Sequence, residues 1–280
     1  MSIQPSFNPQ NLSVDLQDKW AALLASLGLM HGVIIAFSGG VDSTLLSVAA
    51  QMAKNTRMLA VTVTSPLQLR QDRFFVDNIV KQFHFPHRIV EYNDLLNPNF
   101  TANDSLRCYY CKFNRFKTIL EIAQNENFQW VVEGSNLDDL ADYRPGMRAI
   151  RELNIRSPFL EIGMTKKHIR SLAQALGLPN ANSVAGSCYA TRIPYGTQIS
   201  MREINRVAAG EDELLQMGFN PCRVRFRKDV AHIEINPGQL PMALEFREKI
   251  IKVFKEIGFI YVLIDLEGYR TGSMNEVINR

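Results

Sequence analysis

The 280-residue sequence has no long apolar run, little excess charge and no leader-like start, and each absence excludes a class of protein. No window approaches the roughly 18 consecutive apolar residues of a transmembrane helix. The first residues lack the basic and apolar regions of a signal peptide. The net charge of +3 gives no sign of the basic stripe of a nucleic-acid-binding protein. We therefore predict a cytoplasmic protein whose partner is neither a membrane nor a nucleic acid.

Cysteine is also scarce, with only four residues in the chain. This number is too small for a disulfide-stabilised scaffold, so metal binding or catalysis is the favoured use of the thiols. The sequence contains no internal repeat and no low-complexity tract. Its length is sufficient for one large or two modest globular domains.

The most informative stretch is an apolar run at residues 33–37, followed at once by SGGVDST at residues 38–44. An uninterrupted apolar run is typical of a strand buried on both faces of a parallel sheet. The two glycines let backbone N–H groups approach an anion, and the helical pattern that follows adds the positive end of a helix dipole. Residues 38–44, hereafter the phosphate loop, are therefore predicted to bind pyrophosphate.

The spacing of the loop decides which nucleotide fold it belongs to. A Walker A loop is excluded because no lysine follows the glycines, and a dinucleotide fingerprint is excluded because the third glycine is missing. SGGVDST instead resembles the SGGxDS signature of the PP-loop ATP pyrophosphatases, which split ATP between its α and β phosphates to adenylate a substrate. The resemblance implies that ATP and Mg²⁺ bind at Ser38, Gly39, Gly40, Asp42 and Ser43, with Asp42 also in a catalytic role.

Alternating strand and helix patterns predict an α/β protein: a PP-loop, adenine nucleotide α-hydrolase-like parallel sheet with helices on both faces, followed by a smaller C-terminal α+β domain. We place the domains at residues 1–198 and 199–280. Predicted helices span residues 13–29, 70–83, 104–123, 201–217 and 240–257, and a further helix begins after Thr165. Predicted strands span residues 33–37, 58–63, 88–92, 129–133, 155–159, 222–227, 230–235 and 259–266.

Polar residues follow two of the predicted strands. Thr64 ends one strand, and the segment GSNLDDLADYRPG at residues 134–146 follows another. Ligands bind at the carboxyl edge of open α/β sheets, where carboxylates can hold Mg²⁺ or contact ribose hydroxyls. Gly134, Asn136 and Asp138 are therefore further candidate ATP-binding residues.

Three of the cysteines are candidates for a metal centre. Cys108 and Cys111 lie one turn apart near the start of a predicted helix, and Cys188 lies in the irregular segment GSCYATRIPYG. Three thiolates can bind Zn²⁺ with a fourth ligand, or a [4Fe–4S] cluster with one iron left open. No histidine accompanies the cysteines at zinc-finger spacing, so we favour the cluster. Strand alternation in CRVRFR places Cys222 on the core side.

The other face of the same strand carries Arg223, Arg225 and Arg227. Guanidinium groups on one face repel each other unless an anion joins them, and their planar geometry suits a phosphate monoester. Arg192 lies in the irregular segment and is a candidate for the same pocket. We therefore predict a site for the phosphate of a small-molecule nucleotide substrate.

Five motifs in order resemble the LarE family of ATP-dependent sulfur transferases, which build the nickel-pincer nucleotide cofactor of lactate racemase. The motifs are SGGVDST, GSNLDDLADYRPG, CYATRIPYG, RVRF and DLEGYRTGSMN, the last at residues 265–275. The resemblance spans nearly the whole chain. It implies that the carboxylates of pyridinium-3,5-biscarboxylic acid mononucleotide are adenylated and converted to thiocarboxylates.

The same resemblance assigns further roles. Some family members sacrifice the sulfur of one cysteine, whereas others hold a [4Fe–4S] cluster on three cysteines; Cys108 and Cys111 place this chain with the latter, with Cys188 as third ligand and sulfide carried on the free iron. Arg192, Arg223 and Arg225 are implied to bind the substrate phosphate, and Glu211 matches a position near the substrate. The family also implies a homo-oligomer, often a hexamer.

Three alternatives remain from the sequence. A PP-loop tRNA thiolase also combines this loop with cysteines, but it predicts salt-sensitive tRNA binding. An amide-forming synthetase for NAD or GMP uses ammonia and needs no arrangement of three cysteines. A non-catalytic AMP-sensing regulator would bind ATP without releasing pyrophosphate.

Overall fold

The structure, a computed structural model, describes residues 7–141, 145–183 and 186–270. The chain forms two compact units, the first comprising residues 1–92 and 108–186 and the second residues 93–107 and 187–280. The domain boundary placed between residues 198 and 199 from the sequence stays a prediction. Two motifs, DYR at residues 142–144 and the end of DLEGYRTGSMN from residue 271, lie outside the described residues.

The secondary structure follows the predicted alternation. The helices are α1 Val14–Gly28, α2 Val41–Met52, α3 Arg70–Phe83, α4 Pro98–Thr101, α5 Arg107–Asn125, α6 Gly146–Glu152, α7 Pro158–Glu161, α8 Lys166–Ala175, α9 Met201–Gln216, α10 Leu240–Glu245 and α11 Arg247–Ile257. The strands are β1 Gly32–Ala36, β2 Arg57–Thr64, β3 His87–Glu91, β4 Trp130–Val132, β5 Cys222–Arg227, β6 Val230–Ile235 and β7 Tyr261–Ile264. Among the helices of the described ranges, none has both the length and the apolar character needed to cross a bilayer.

The first unit is built on a four-stranded parallel sheet in the order β3-β2-β1-β4. Strand β1 is buried on both faces, with Val33 and Ile35 packing into one apolar cluster and Ile34 into another. Helices α1, α2 and α8 contribute to the first cluster and α5 and α6 to the second. The predicted parallel sheet with helices on both faces is therefore confirmed.

Local signals position the helices beside this sheet. Helix α1 begins after Ser13 and buries Trp20, Leu23 and Leu27, which share one face of the helix. Helix α8 begins after Thr165, whose side chain accepts from the N–H of His168 while the His168 ring accepts from the Thr165 N–H. This reciprocal capping box satisfies two N–H groups that the first turn leaves open. Helix α2 packs against both α1 and α8, so the start of α8 lies beside the phosphate loop.

One predicted strand, at residues 155–159, is wrong. The structure has a single bridge there, between Val132 and Arg156, and helix α7 begins at Pro158. Proline has no N–H to donate to a sheet ladder, and its restricted φ suits the first turn of a helix. The hydroxyl of Ser157 instead donates to the buried carboxylate of Glu133 at the end of the sheet.

The second unit contains a small three-stranded sheet in the order β5-β6-β7. Strands β5 and β6, both predicted from the sequence, form an antiparallel hairpin, and β7 runs parallel to β6. Helix α9 packs on β5 and against α11 at Gly210, where a Cβ atom would lie 2.9 Å from the Phe254 ring. The predicted helix at residues 240–257 is divided at Phe246, whose backbone leaves the helical conformation and whose ring packs on Phe219.

Candidate active site

The phosphate loop lies between β1 and α2, at the carboxyl edge of the parallel sheet. Gly39 has a φ of +80°, a conformation that side-chain-bearing residues rarely adopt. A Cβ atom at Gly39 would also lie 2.8 Å from the Val76 side chain of α3. Backbone conformation and packing therefore both require glycine at this position.

Hydrogen bonds turn the carbonyl groups of the loop to one side. The Gly40 carbonyl accepts from the hydroxyl of Ser43 at 3.1 Å and from that of Thr44 at 2.9 Å. Within the part of the chain that the structure describes, the N–H groups of Gly39 and Val41 have no acceptor. A loop whose carbonyl groups already accept hydrogen bonds from the protein, and which has open N–H groups and a helix start, is suited to bind an anion.

Asn180, which follows α8, contacts the back of this loop. Its side-chain Nδ2 donates to the Gly39 carbonyl at 2.8 Å and to the Thr44 hydroxyl at 2.9 Å. Asn180 is only 3% exposed, and its Oδ1 has no partner among the described residues. The Asn180 amide is therefore fixed by its two donor contacts with the loop.

The carboxylate of Asp42, in the first turn of α2, is paired with a lysine. The Lys166 ammonium lies 2.7 Å and 2.5 Å from the two carboxylate oxygens. Burial raises the pKa of Asp42 above its usual value, and the hydrogen bond and charge of Lys166 partly offset this effect. The pair therefore places both a carboxylate and a cation beside the phosphate loop.

The segment after β4 packs against the same helix start. A Cβ atom at Gly134 would lie 3.0 Å from Cβ of Asp42, so a larger residue here would crowd the start of α2. Asp138 accepts from the backbone N–H of Lys166 at 2.7 Å, and Asn136 accepts from the N–H of Asp138 at 3.1 Å. The structure thus brings Gly134 against the phosphate loop and Asp138 against Lys166, the partner of Asp42, while the ATP-binding role of Gly134, Asn136 and Asp138 stays a prediction.

Thr64 ends the neighbouring strand β2 of the same sheet. Its hydroxyl donates to the Val90 carbonyl at 3.3 Å. Thr64 therefore lies at the predicted sheet edge, while the role in ATP binding stays a prediction.

In the second unit, two buried arginines already have carboxylate partners. Arg192 forms a two-point contact with Glu211, at 2.8 Å and 2.9 Å, and Arg225 forms one with Glu234, at 2.8 Å and 3.0 Å. All four side chains are at most 7% exposed. Glu211 is thus a buried partner that orients Arg192 rather than an exposed helical residue.

Arg223 has a different environment. It is 7% exposed, its guanidinium lies over the Tyr269 ring, and it donates to the Tyr269 hydroxyl at 3.0 Å. Burial lowers the pKa of Arg223, and the charges of Arg192 and Arg225 lower it further. Arg223 forms no ion pair with a carboxylate within residues 7–141, 145–183 and 186–270, although the charge of Glu234 acts on it, so its guanidinium could accept an anion as a further partner. Arg227, the third member of the predicted face, is exposed.

The four cysteines are all described, and none forms a disulfide. Cys108 and Cys111 lie one turn apart on α5 in the first unit, whereas Cys188 belongs to the second unit. Burial raises the pKa of Cys222 to about 12, which keeps that thiol protonated. Across the described ranges, no group of three or more histidine, cysteine or acidic side chains is arranged as a metal ligand set. The assignment of Cys108, Cys111 and Cys188 as cluster ligands therefore stays a prediction, based on their residue type and on the family resemblance.

Comparisons with known proteins extend this geometry. The PP-loop domain family matches residues 12–144. A pyridinium-3,5-bisthiocarboxylic acid mononucleotide synthase of Lactiplantibacillus plantarum is 33% identical over 266 residues, which are 95% of this chain and 96% of that protein. The chain belongs to the LarE family. Uncharacterised proteins of Synechocystis sp. and Methanocaldococcus jannaschii are 35% and 32% identical and are covered over 100% and 91% of their lengths.

Membership of the LarE family confirms the predicted resemblance and makes the chain an ATP-using PP-loop enzyme. Lys166 and Asn180, which contact the phosphate loop, were not among the residues predicted from the sequence. They lie 124 and 141 positions from the loop residues that they contact. The available signals were the helix start after Thr165 and the helix end at Gly177, which identify their positions without identifying their partners.

Proposed function

We propose that this chain is an ATP-dependent sulfur transferase of nickel-pincer cofactor synthesis. It adenylates the carboxylates of pyridinium-3,5-biscarboxylic acid mononucleotide and converts them to thiocarboxylates. The synthase-named relative supports the substrate, because the similarity covers nearly the whole of both chains. The PP-loop domain supports the use of ATP.

The observation that carries the proposal is the phosphate loop with its paired Asp42 and Lys166. Open N–H groups, a helix start and the Lys166 cation together suit the β and γ phosphates of ATP. The Asp42 carboxylate is the type of ligand that Mg²⁺ prefers, so Asp42 would hold the metal. Mg²⁺ would supply charge neutralisation of the phosphates.

The first chemical step then follows from positioning. A substrate carboxylate oxygen attacks the α phosphorus, the bond to the bridging oxygen breaks, and pyrophosphate leaves with that electron pair. Negative charge develops on the departing pyrophosphate, where the loop N–H groups and Lys166 stabilise it. The product is an acyl-adenylate, from which a sulfur nucleophile displaces AMP.

Substrate binding is assigned to the second unit. Arg223 would bind the substrate phosphate, because it is buried and its described partner is the neutral Tyr269 hydroxyl. Arg192 and Arg225 would line the same phosphate site, and Glu211 would orient Arg192 through the two-point contact. A phosphate that docks here leaves the carboxylates of the substrate free to react.

We assign sulfur delivery to Cys108, Cys111 and Cys188. Their donor type fits a [4Fe–4S] cluster, since all three lack a disulfide partner and three thiolates leave one iron without a protein ligand. Such a cluster would supply the sulfide that displaces AMP. We further propose that the enzyme is a homo-oligomer, which size-exclusion chromatography with light scattering would test.

An anaerobic assay tests the proposed function. The enzyme is incubated with ATP, Mg²⁺, the dicarboxylate mononucleotide and sulfide, and pyrophosphate, AMP and product mass are measured. We expect pyrophosphate release that depends on the dicarboxylate, together with exchange of oxygen for sulfur in the product. Amide formation with ammonium in place of sulfide, or turnover only with tRNA, would overturn the proposal.

The same assay examines the cysteines when it is combined with iron and sulfide analysis. Cys188→Ser is expected to abolish sulfur transfer and cluster content, whereas the matched control Cys222→Ser retains both because that thiol is buried and protonated. Retention of full sulfur transfer when Cys108, Cys111 and Cys188 are all serine would exclude the assignment.

A further inference from the structure

We propose that Asn180 is a positioning residue, which holds the Gly39–Gly40 peptide in the orientation that binds the pyrophosphate part of ATP. The inference deepens the proposed function and rests on it. Asn180 itself does not touch the phosphates in this scheme. It acts through the backbone of the phosphate loop.

The identity of the contacting atom follows from its neighbours. The Gly39 carbonyl can only accept a hydrogen bond, so the Asn180 atom at 2.8 Å must be the amide nitrogen. The second amide hydrogen is directed to the Thr44 hydroxyl at 2.9 Å, and that hydroxyl in turn donates to the Gly40 carbonyl. Asn180 therefore holds the Gly39 carbonyl directly and the Gly40 carbonyl through Thr44.

The geometry of a planar peptide transmits this contact to the ligand side. In a trans peptide, the carbonyl of one residue and the N–H of the next point in opposite directions. Fixing the Gly39 carbonyl toward Asn180 consequently directs the Gly40 N–H the other way. That N–H donates to the Ser38 hydroxyl at 3.4 Å, so it points toward another of the predicted ATP-binding residues of the loop.

Without Asn180, the loop has an alternative peptide orientation. Glycine at both positions permits rotation of the Gly39–Gly40 peptide, because no side chain opposes it. A rotated peptide would present the Gly39 carbonyl to the phosphates and remove the Gly40 N–H from them. The buried, unpartnered Oδ1 of Asn180 is consistent with this role, since the side chain is oriented by its donors alone.

The test compares ligands that do and do not contain a pyrophosphate group. Asn180→Asp and Asn180→Ala are prepared with the control Asn182→Asp, an exposed asparagine two positions away. Dissociation constants are measured for ATP, inorganic pyrophosphate and AMP, each with Mg²⁺. Melting temperatures show whether each variant is folded.

We expect Asn180→Asp to raise the dissociation constants for ATP and pyrophosphate by about tenfold or more. The dissociation constant for AMP should stay within about twofold of the wild-type value. Asp should be worse than Ala although it is nearly the size of Asn, because its carboxylate places an acceptor against the Gly39 carbonyl. Pyrophosphate release should slow by about a hundredfold in Asn180→Asp, as for loss of one anion-stabilising donor. The control should match the wild type.

Three results would overturn the inference while leaving the proposed function intact. They are equal ATP affinity in wild type and variants, equal losses for AMP and ATP, and a greater loss in Ala than in Asp. Failure of the wild-type protein to bind pyrophosphate would instead contradict the proposed function.

A measurement on the wild type covers the case in which the variants do not fold. With ¹⁵N-glycine labelling, pyrophosphate should shift the Gly40 amide resonance and AMP should not. An unaffected Gly40 resonance at saturating pyrophosphate would refute the proposal without any variant.

Discussion

Lys166→Met removes the cation beside the phosphate loop while retaining a linear side chain of similar length. In the folded protein the ammonium contacts both oxygens of Asp42, and the two side chains are 31% and 26% exposed. An ion pair with this partial exposure stabilises a protein by about 1 kcal/mol. The melting temperature should therefore fall by only about 2–4 °C.

The effect on ATP should be much larger than the effect on stability. A hydrogen bond to a charged group is worth about 1.5–3 kcal/mol, which corresponds to an affinity loss of about 10- to 150-fold for ATP or pyrophosphate. AMP lacks the β and γ phosphates, so its affinity should change little. Loss of the ammonium also raises the pKa of Asp42 further, because the hydrogen bond and charge of Lys166 no longer offset the effect of burial. The acidic limb of the pH–activity profile should accordingly move to higher pH.

Pyrophosphate release at varied ATP concentration and pH measures both effects. Lys167→Met is the matched control, since Lys167 is the adjacent, exposed lysine of the same helix. An unchanged KM for ATP together with an unchanged acidic limb would refute the assigned role of Lys166. Equal losses for ATP and AMP would show that the side chain acts only on folding.

Three further predictions concern stability and the thiols. Asp42→Asn should abolish activity. Its melting temperature should rise relative to that of the wild type as pH increases above about 4, because ionisation of a carboxyl group with a raised pKa destabilises the folded wild-type protein and asparagine does not ionise. A difference in melting temperature that stays constant across pH would contradict this. Glu211→Gln should lower the free energy of unfolding in urea by about 3 kcal/mol by leaving Arg192 buried without its counter-charge, and replacing both residues by Met should recover most of the loss. In the folded, cluster-free protein, Cys222 should resist a thiol reagent at pH 8 whereas Cys188 reacts, which mass spectrometry would show; rapid labelling of Cys222 would contradict its raised pKa.

The sequence alone was sufficient for features encoded by neighbouring residues. Apolar runs, helix periodicity and capping residues predicted the order of the elements, and SGGVDST predicted the loop between β1 and α2. The prediction of a strand at residues 155–159 was wrong for a reason that the sequence already contained. Pro158 has no N–H group to donate to a β-ladder. Strand β5 was predicted with the right bounds, but the sequence did not show which carboxylates pair with the arginines.

Tertiary structure decided which distant groups meet. Lys166 reaches Asp42 and Asn180 reaches Gly39 because α8 packs beside α2. In the same way, Glu211 and Glu234 pair with Arg192 and Arg225, whereas Arg223, on the same strand as Arg225, forms no ion pair with a carboxylate among the described residues. Local sequence determines the backbone pattern, since propensity and periodicity depend on near neighbours. Side-chain partners separated by more than a hundred residues depend on how helices dock on the sheet, and that information appears only in the folded chain.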